Sequence, residues 1–247
     1  MIEAGPRFEV VALGSVGSTN DEAHALARQG AADRTAVTAE EQLGGRGRRG
    51  RAWASPPGNL YLSAILRPSC PAGQAAQLSF IAALAVRDLV RRFLPDNVPV
   101  AVKWPNDVLV DGLKISGILL ETGPVSGGDV EYLNHGKGIN LAHYPTDSER
   151  PATSLAAQGA DPGVLAARDA LLQALGHWDS LWRTHGFAAI REEWLRDAIG
   201  LGAPIQVRLP DSTLEGVFAD LDGDGALLLQ QPDGRRRITA GDVFLAR

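Results

Sequence analysis

The segment best equipped for chemistry is Gly44-Gly45-Arg46-Gly47-Arg48-Arg49-Gly50-Arg51, four glycines interleaved with four arginines. Glycine lets a backbone approach a ligand closely, and arginine supplies a planar, permanently charged fork of donors. Such a loop suits phosphate, whose oxygens pair with guanidinium bidentately and with clustered backbone N–H groups. No acidic residue occurs between Glu41 and Asp88, whereas Arg46, Arg48, Arg49, Arg51, Arg67 and Arg87 all fall there. The chain as a whole is acidic, with 24 Lys plus Arg against 29 Asp plus Glu, so its cations are concentrated around this loop. It is not a Walker P-loop, because no Gly-Lys-Ser/Thr ends it. Nor does it open a dinucleotide-binding helix, since Trp53-Ala54-Ser55-Pro56-Pro57 follows. Taken alone it also fits a solvated basic loop or an Arg-Gly tether for nucleic acid.

Three further clusters carry polar chemistry. Lys103-Trp104-Pro105-Asn106-Asp107 is a rigid polar turn between two apolar runs, which gathers Lys, Asn and Asp at a strand end. An Asn there can read an adenine edge through paired hydrogen bonds, or simply form an Asx-turn. Lys114 enters an apolar strand just after Asp111-Gly112, and Gly136-Lys137-Gly138-Ile139-Asn140 offers glycines beside a strand-end Asn. Other chemistries lack support. The five histidines are scattered without metal-ligand spacing, so no metal site is expected. Cys70 is the only cysteine, which excludes an internal disulfide and a Cys-based zinc site. It lies in a loop-like Pro-Ser-Cys-Pro stretch, and nothing marks it as an activated thiolate.

These groups need a scaffold, and the composition supplies an ordinary globular one: 45% hydrophobic and 21% charged, in 247 residues. No stretch has the apolar length of a transmembrane helix and no signal core opens the chain, so a cytoplasmic protein without a membrane partner is expected. Phe8–Leu13, Thr35–Ala39, Asn59–Leu66, Val98–Val102 and Val108–Val110 read as strands. Ser18, Thr19 and Asn20 offer N-cap oxygens to a helix that stops near Gly30, and 72–93 has apolar residues at helical spacing. Asp111-Gly112 and Ser126-Gly127-Gly128-Asp129 are hairpin signals, leading to strands 113–121 and 130–140. Consecutive hairpins imply an antiparallel or mixed sheet with flanking helices, an α+β fold rather than a doubly wound one. Beyond Pro151 two helices are expected, one from Pro162 and one from about Trp178 to Ile199, interrupted at Gly186. Trp178, Trp182 and Trp194 are read as packing residues. Four or five short strands after Gly200-Leu201-Gly202 imply a small β-barrel. The domains are therefore set at 1–200 and 201–247.

Read in order, Ser18-Thr19-Asn20, Glu41-Gln42-x-x-Gly45-Arg46-Gly47-Arg48-Arg49-Gly50-Arg51-x-Trp53, Lys103-Trp104-Pro105-Asn106-Asp107, Lys114-x-x-Gly117-Ile118-Leu119-x-Glu121 and Gly138-Ile139-Asn140 resemble the biotin protein ligases. The five motifs together are highly specific, and lipoate ligases, which share the catalytic fold, lack the glycine-arginine loop. The resemblance implies a biotin/lipoate ligase-like catalytic domain followed by an SH3-like barrel. It implies an ATP-dependent enzyme that forms biotinyl-5′-AMP and transfers biotin to a lysine of a biotin carboxyl carrier protein, such as that of acetyl-CoA carboxylase. By the same resemblance Ser18, Thr19, Asn20 and Gln42 bind the biotin head, while Gly45, Arg46, Gly47 and Arg48 fold over biotin and the phosphates. Lys114 meets the carboxylate and α-phosphate, and acts with Arg46 and Arg48 as a catalytic group. Trp53, Asn106 and Asn140 flank the adenylate, joined there by Arg49, Arg51, Lys103 and Asp107. Mg²⁺ arrives with ATP, held mostly by its phosphates.

The chain departs from the family at Leu43 and Gly44, where many members have Gln-Ala, and at Ala52, commonly lysine. Lys137 stands where an apolar residue is usual, and a charge there is expected to reach solvent or pair with an acid. Only seventeen residues precede Ser18, too few for a three-helix DNA-binding unit, so neither a repressor role nor DNA as a partner is expected. The resemblance also admits a homodimer formed through the central sheet. Two rivals stay open: a lipoate or other acyl-adenylate ligase, and a nucleic-acid binder using the Arg-Gly loop.

Overall fold

Leu60–Leu66 is buried along its whole length, so both faces of this strand must be covered. Leu60, Leu62, Ala64 and Leu66 join one apolar cluster, whereas Ile65 joins a second one on the opposite face. That alternation follows from the two-residue period of a strand and makes 60–66 an interior strand of the main sheet. The structure, a computed structural model, describes residues 6–146 and 151–245. In chain order its first part comprises β1 (Glu9–Val16), α1 (Thr19–Arg28), β2 (Thr35–Gln42), β3 (Leu60–Leu66), α2 (Ala72–Ala75), α3 (Leu78–Phe93), β4 (Val100–Lys103), β5 (Asp107–Val110), β6 (Leu113–Thr122), β7 (Val125–Ser126), β8 (Asp129–Val130) and β9 (Leu133–Ile139). There follow α4 (Val164–His185), α5 (Phe187–Arg196), β10 (Pro204–Arg208), β11 (Thr213–Leu221), β12 (Leu227–Gln231), β13 (Gly234–Ile238) and β14 (Asp242–Leu245).

The seven-stranded sheet has the order β1-β2-β3-β9-β6-β5-β4. Only β1 and β2, joined through α1, run parallel; the other neighbours are antiparallel. This is the mixed sheet with flanking helices that the hairpin signals imply. The long helix α3 packs on one face and is itself covered by α4 and α5. Leu78, Ile81 and Leu84 are fully buried there, each contributing roughly 2 kcal/mol of transfer free energy. The shorter α1 lies on the other face against β2, β3 and β9, and leaves the rest of that face free.

Two helix expectations need correction. Residues 72–93 form two helices, because the backbone tightens between them into bonds of 3₁₀ type (Gln77 N–H to Gln74 O, Phe80 N–H to Gln77 O). The Gln77 side chain at that junction is buried and accepts the Trp182 indole N–H at 3.0 Å. Conversely, no helix starts at Trp178. One helix runs unbroken from Val164 to His185, its buried face carrying Leu171, Ala174, Leu175, Trp178 and Trp182. It ends at Gly186, whose φ of 73° favours glycine.

The C-terminal strands form an antiparallel sheet of order β13-β12-β11-β10-β14, in which no pairing joins β13 to β14 among the described residues. Ile205, Val207, Phe218, Leu227 and Leu229 fill its core. It seats directly on the first unit: the Trp104 indole donates to Gly225 O at 3.0 Å, and Arg191 Nε donates to Leu221 O at 2.8 Å. None of the described helices is long and apolar enough to cross a membrane.

Candidate functional site

A cleft of about 670 Å³ opens on the α1 face of the sheet, between the glycine-arginine loop and strands β3, β6 and β9. One end is a hydrogen-bonded set of small polar groups. Ser18 caps α1, its Oγ accepting Asn20 N–H at 3.3 Å, which presents the next two side chains to the cleft. Thr19 and Asn20 are almost fully buried, as is Ser63 from β3, which bonds both of them. Gln42 at the end of β2 accepts Thr19 N–H at 2.9 Å and donates to Ser55 Oγ at 2.9 Å. The four residues expected at the biotin head therefore meet in one place.

Glycines floor this cleft where a side chain would fill it. A Cβ on Gly136 would lie 2.5 Å from Asn20 Oδ1, and one on Gly138 would lie 2.3 Å from Trp53 Nε1. Gly117 lies beneath both Trp53 and Lys114, a Cβ there falling 3.1 Å from each. The Trp53 ring thus rests flat on bare backbone of β6 and β9, with its Nε1 buried and unpartnered. Replacing Gly138 by Ala is expected to lift the indole off the floor. On the expectation that Trp53 flanks the adenylate, affinity for biotinyl-5′-AMP should fall roughly tenfold while circular dichroism stays unchanged, since the new methyl meets a movable ring.

The loop is pinned at its neck and charged at its tip. Gly45 O accepts Trp53 N–H at 2.9 Å, and residues 46 and 52 form a β-bridge. Gly45 itself packs against Ser55 and Trp53 O too closely for any side chain, and it is not among the cleft-lining residues. Arg46 lines the cleft and is held by Asp21, at 2.7 and 2.8 Å, and by Glu121 at 3.3 Å. This pairing holds the Asp21 carboxyl below its usual range and raises Arg46 further. Arg48 reaches inward, donating to Asn106 Oδ1 at 3.1 Å and to Gly241 O at 3.2 Å. Burial lowers its pKa, and the charge of Asp242 opposes that fall. Arg48, Arg49 and Arg51 all converge on Asp242, at 3.7, 3.6 and 3.1 Å.

Lys114, like Arg48, lines the cleft. Its Nζ lies 2.7 Å from Asp107 Oδ1 and 5.4 Å from the centre of the Trp53 ring. A bulge between Val108 and Leu109 in the β5–β6 pairing accompanies this turn. Asn106 is braced by Ile118, and Asn140 donates to Thr153 O at 2.9 Å; both line the cleft, as do Asp107, Gly47 and Arg51. Arg49 and Lys103 do not line it. Arg49 sits in the left-handed region, with φ 58°, and turns to Asp242, while Lys103 lies 5.9 Å from the Phe244 ring centre.

Lys137 contradicts the expectation that its charge would reach solvent or an acid. It is 2% exposed, and its Nζ donates only to His135 O, at 2.8 Å, among the bonds described. Strand parity explains the placement: Gly136 and Gly138 face the cleft, so Lys137 points into the core beneath it. Burial lowers its pKa well below that of a free lysine. Cys70 is buried and its thiol pushed up, in keeping with an inert packing residue. Sequence reasoning missed Ser63 and Asp242. The first carries a readable signal, a small residue at the cleft-facing parity of a strand; Asp242 has none.

Comparison with known proteins gives this geometry a family. Residues 15–140 match the Biotin/lipoate A/B protein ligase family, and residues 200–246 match the biotin protein ligase C-terminal domain. The chain is 42% identical to a biotin--[acetyl-CoA-carboxylase] ligase of Paracoccus denitrificans, covering 94% of this chain and 98% of that one. It is 35% identical to the bifunctional ligase/repressor of Bacillus subtilis, over 92% of this chain but 71% of that protein. The biotin protein ligase of Aquifex aeolicus in complex with biotin and ATP superposes with a TM-score of 0.80 at 27% identity, covering 97% and 99% of the two chains. With its loop, polar cleft and C-terminal sheet all matched in order, the chain belongs to the biotin protein ligase family.

Proposed function

We propose that this protein is an ATP-dependent biotin–protein ligase. The observation that carries the reading is a single cleft with an amide-and-hydroxyl cluster at one end and Arg48 and Lys114 at the other. Biotin's carboxylate oxygen attacks the α-phosphorus of Mg-ATP, forming the acyl–phosphate bond of biotinyl-5′-AMP and expelling pyrophosphate. The amine of a carrier-protein lysine then attacks the acyl carbon, forming an amide and releasing AMP and a proton. Arg48 and Lys114 offset the charge that gathers on the phosphate. Ser18, Thr19, Asn20 and Gln42 hold the biotin head, and Trp53, Asn106, Asp107 and Asn140 the adenylate. Asp107, 2.7 Å from Lys114, is placed to take the acceptor's proton. Closure of the arginine loop excludes water from the hydrolysable anhydride.

The acceptor is a biotin carboxyl carrier protein of acetyl-CoA carboxylase or a related carboxylase. ATP and such carboxylases share the cytoplasm, to which we assign the protein. The catalytic domain extends through residue 200 and the C-terminal domain follows. The outer strand β1 is half exposed along one edge of the sheet, in line with a homodimer. The test is to supply biotin, Mg-ATP and a carrier domain and to measure pyrophosphate release and carrier mass. Biotin-dependent pyrophosphate release followed by a biotinylated carrier is expected. Release driven by lipoate but not biotin would overturn the assignment in favour of a lipoate ligase.

A further inference from the structure

The biotin reading rests on Thr19 and Gln42, and the structure shows what decides whether their oxygens accept or donate. A hydroxyl has one proton, so its direction is set by its neighbours. Glu121, paired with Arg46, is a carboxylate and can only accept. It lies 2.6 Å from Asn20 Nδ2, which fixes the orientation of that amide and turns Oδ1 toward Ser63 Oγ, 2.5 Å away. Ser63 must spend its proton on Asn20. The Thr19 hydroxyl then has one proton for two acceptors, Ser63 Oγ at 2.8 Å and Gln42 Oε1 at 3.0 Å. Gln42 Oε1 is held as an acceptor by Thr19 N–H, because Nε2 of the same amide donates to Ser55. One of the two Thr19 hydroxyl contacts is therefore left without a proton.

Two acceptors in contact repel each other, and a donor from a ligand relieves them. We propose that Glu121 is a positioning residue for substrate specificity: through Asn20 and Ser63 it sets the hydrogen-bond polarity of the head subsite, so that the subsite takes a cyclic urea N–H donor. The ring of lipoate, a dithiolane, has no N–H and cannot satisfy the pair. Arg46 and Asp21 belong to the same device, since Arg46 holds Glu121 and is itself held by Asp21. The first arginine of the loop is thereby tied to the specificity subsite.

Glu121→Gln reverses the chain. The new amide turns its oxygen to Arg46 and its N–H₂ to Asn20; Asn20 flips and donates to Ser63, Ser63 donates to Thr19, and Thr19 fills the gap to Gln42. Calorimetric titration of the full chain should then show the Kd for biotin raised roughly tenfold or more. The KM for Mg-ATP and kcat at saturating biotin should stay within about twofold. Desthiobiotin, which keeps the urea ring, should weaken by the same factor. Ser63→Ala, which breaks the relay without touching charge, should reproduce the loss, and Glu121→Asp, still acceptor-only, should restore most of the affinity. An unchanged biotin Kd in Glu121→Gln, or a rise matched by the KM for Mg-ATP, overturns the inference. Failure of the unaltered protein to bind biotin would instead overturn the functional reading on which it rests.

Discussion

Replacing Lys114 by Met is expected to slow biotin-dependent pyrophosphate release by about a hundredfold or more, the usual cost of removing one charge donor from a transition state. The ammonium is 2.7 Å from a nearly buried carboxylate, Asp107, and rests against the Trp53 ring. Its position is thus fixed before substrate arrives, and no reorganisation is needed as charge develops on the α-phosphate. Ground-state contacts change less than the transition state does, so kcat should fall far more than the biotin Kd rises. The substitution also removes one charged partner of the buried Asp107 carboxylate, which lowers stability. Pairing it with Asp107→Asn separates the two effects: the double variant should recover melting temperature and remain slow. Supplying ready-made biotinyl-5′-AMP gives the second check. Lys114→Met should then transfer biotin to the carrier far closer to the wild-type rate, because the lysine serves the first step. A variant that forms the adenylate within fivefold of wild type would remove Lys114 from the chemistry.

Much of this site was legible because its chemistry is compressed into short runs. The glycine-arginine loop, the Lys103–Asp107 turn and Ser18-Thr19-Asn20 each declare their residue types locally, and the order of the motifs identifies the family. The sheet was legible for a similar reason, since Asp111-Gly112 and the 126–129 turn mark hairpins that preclude an all-parallel arrangement. What was hidden is whatever depends on strands meeting. Asn20 and Glu121 are 101 positions apart and share a hydrogen bond, and Arg51 reaches across 191 positions to Asp242. No local pattern encodes either pairing. Lys103 shows the limit in another way: it stands opposite Asp107 in the β4–β5 register, and its ammonium also lies 5.9 Å from the ring centre of Phe244, in the last strand. The continuity of α4 through Trp178 was likewise decided by tertiary packing, which buries Trp178 and Trp182 on the face already formed by Leu171 and Leu175.

Lys137→Met is expected to stabilise the protein at neutral pH, by on the order of 2 kcal/mol, the scale for a polar group buried with incomplete pairing. For a chain of this size that corresponds to about 4 °C or more in melting temperature. The lysine lies wholly inside, on the core side of β9, and its single described bond to His135 O leaves most of its donor capacity unused. Met fills nearly the same volume without a charge to desolvate. The pH dependence separates this account from simple repacking. Burial depresses the folded-state pKa of Lys137, so the unfolded chain binds its proton first as pH falls below the ordinary lysine value near 10.5. Proton uptake by the unfolded state therefore draws the protein toward unfolding across the window from 10.5 down to the depressed value. The wild type should gain stability relative to Lys137→Met as pH is raised from 7 to 10, and the advantage of the variant should shrink accordingly. His135 beside it is fully buried with both ring nitrogens unpartnered, and its pKa is lowered by burial and then by Lys137. It adds a second loss of stability below about 6.5, as the unfolded histidine takes up its proton. Removing Lys137 lifts one of the two causes that depress His135, so the acid-side loss should also be milder in the variant. Denaturant titrations of both proteins between pH 5 and 10 measure these slopes. Parallel curves would mean that Lys137 titrates alike in the folded and unfolded protein, and would refute the depressed pKa.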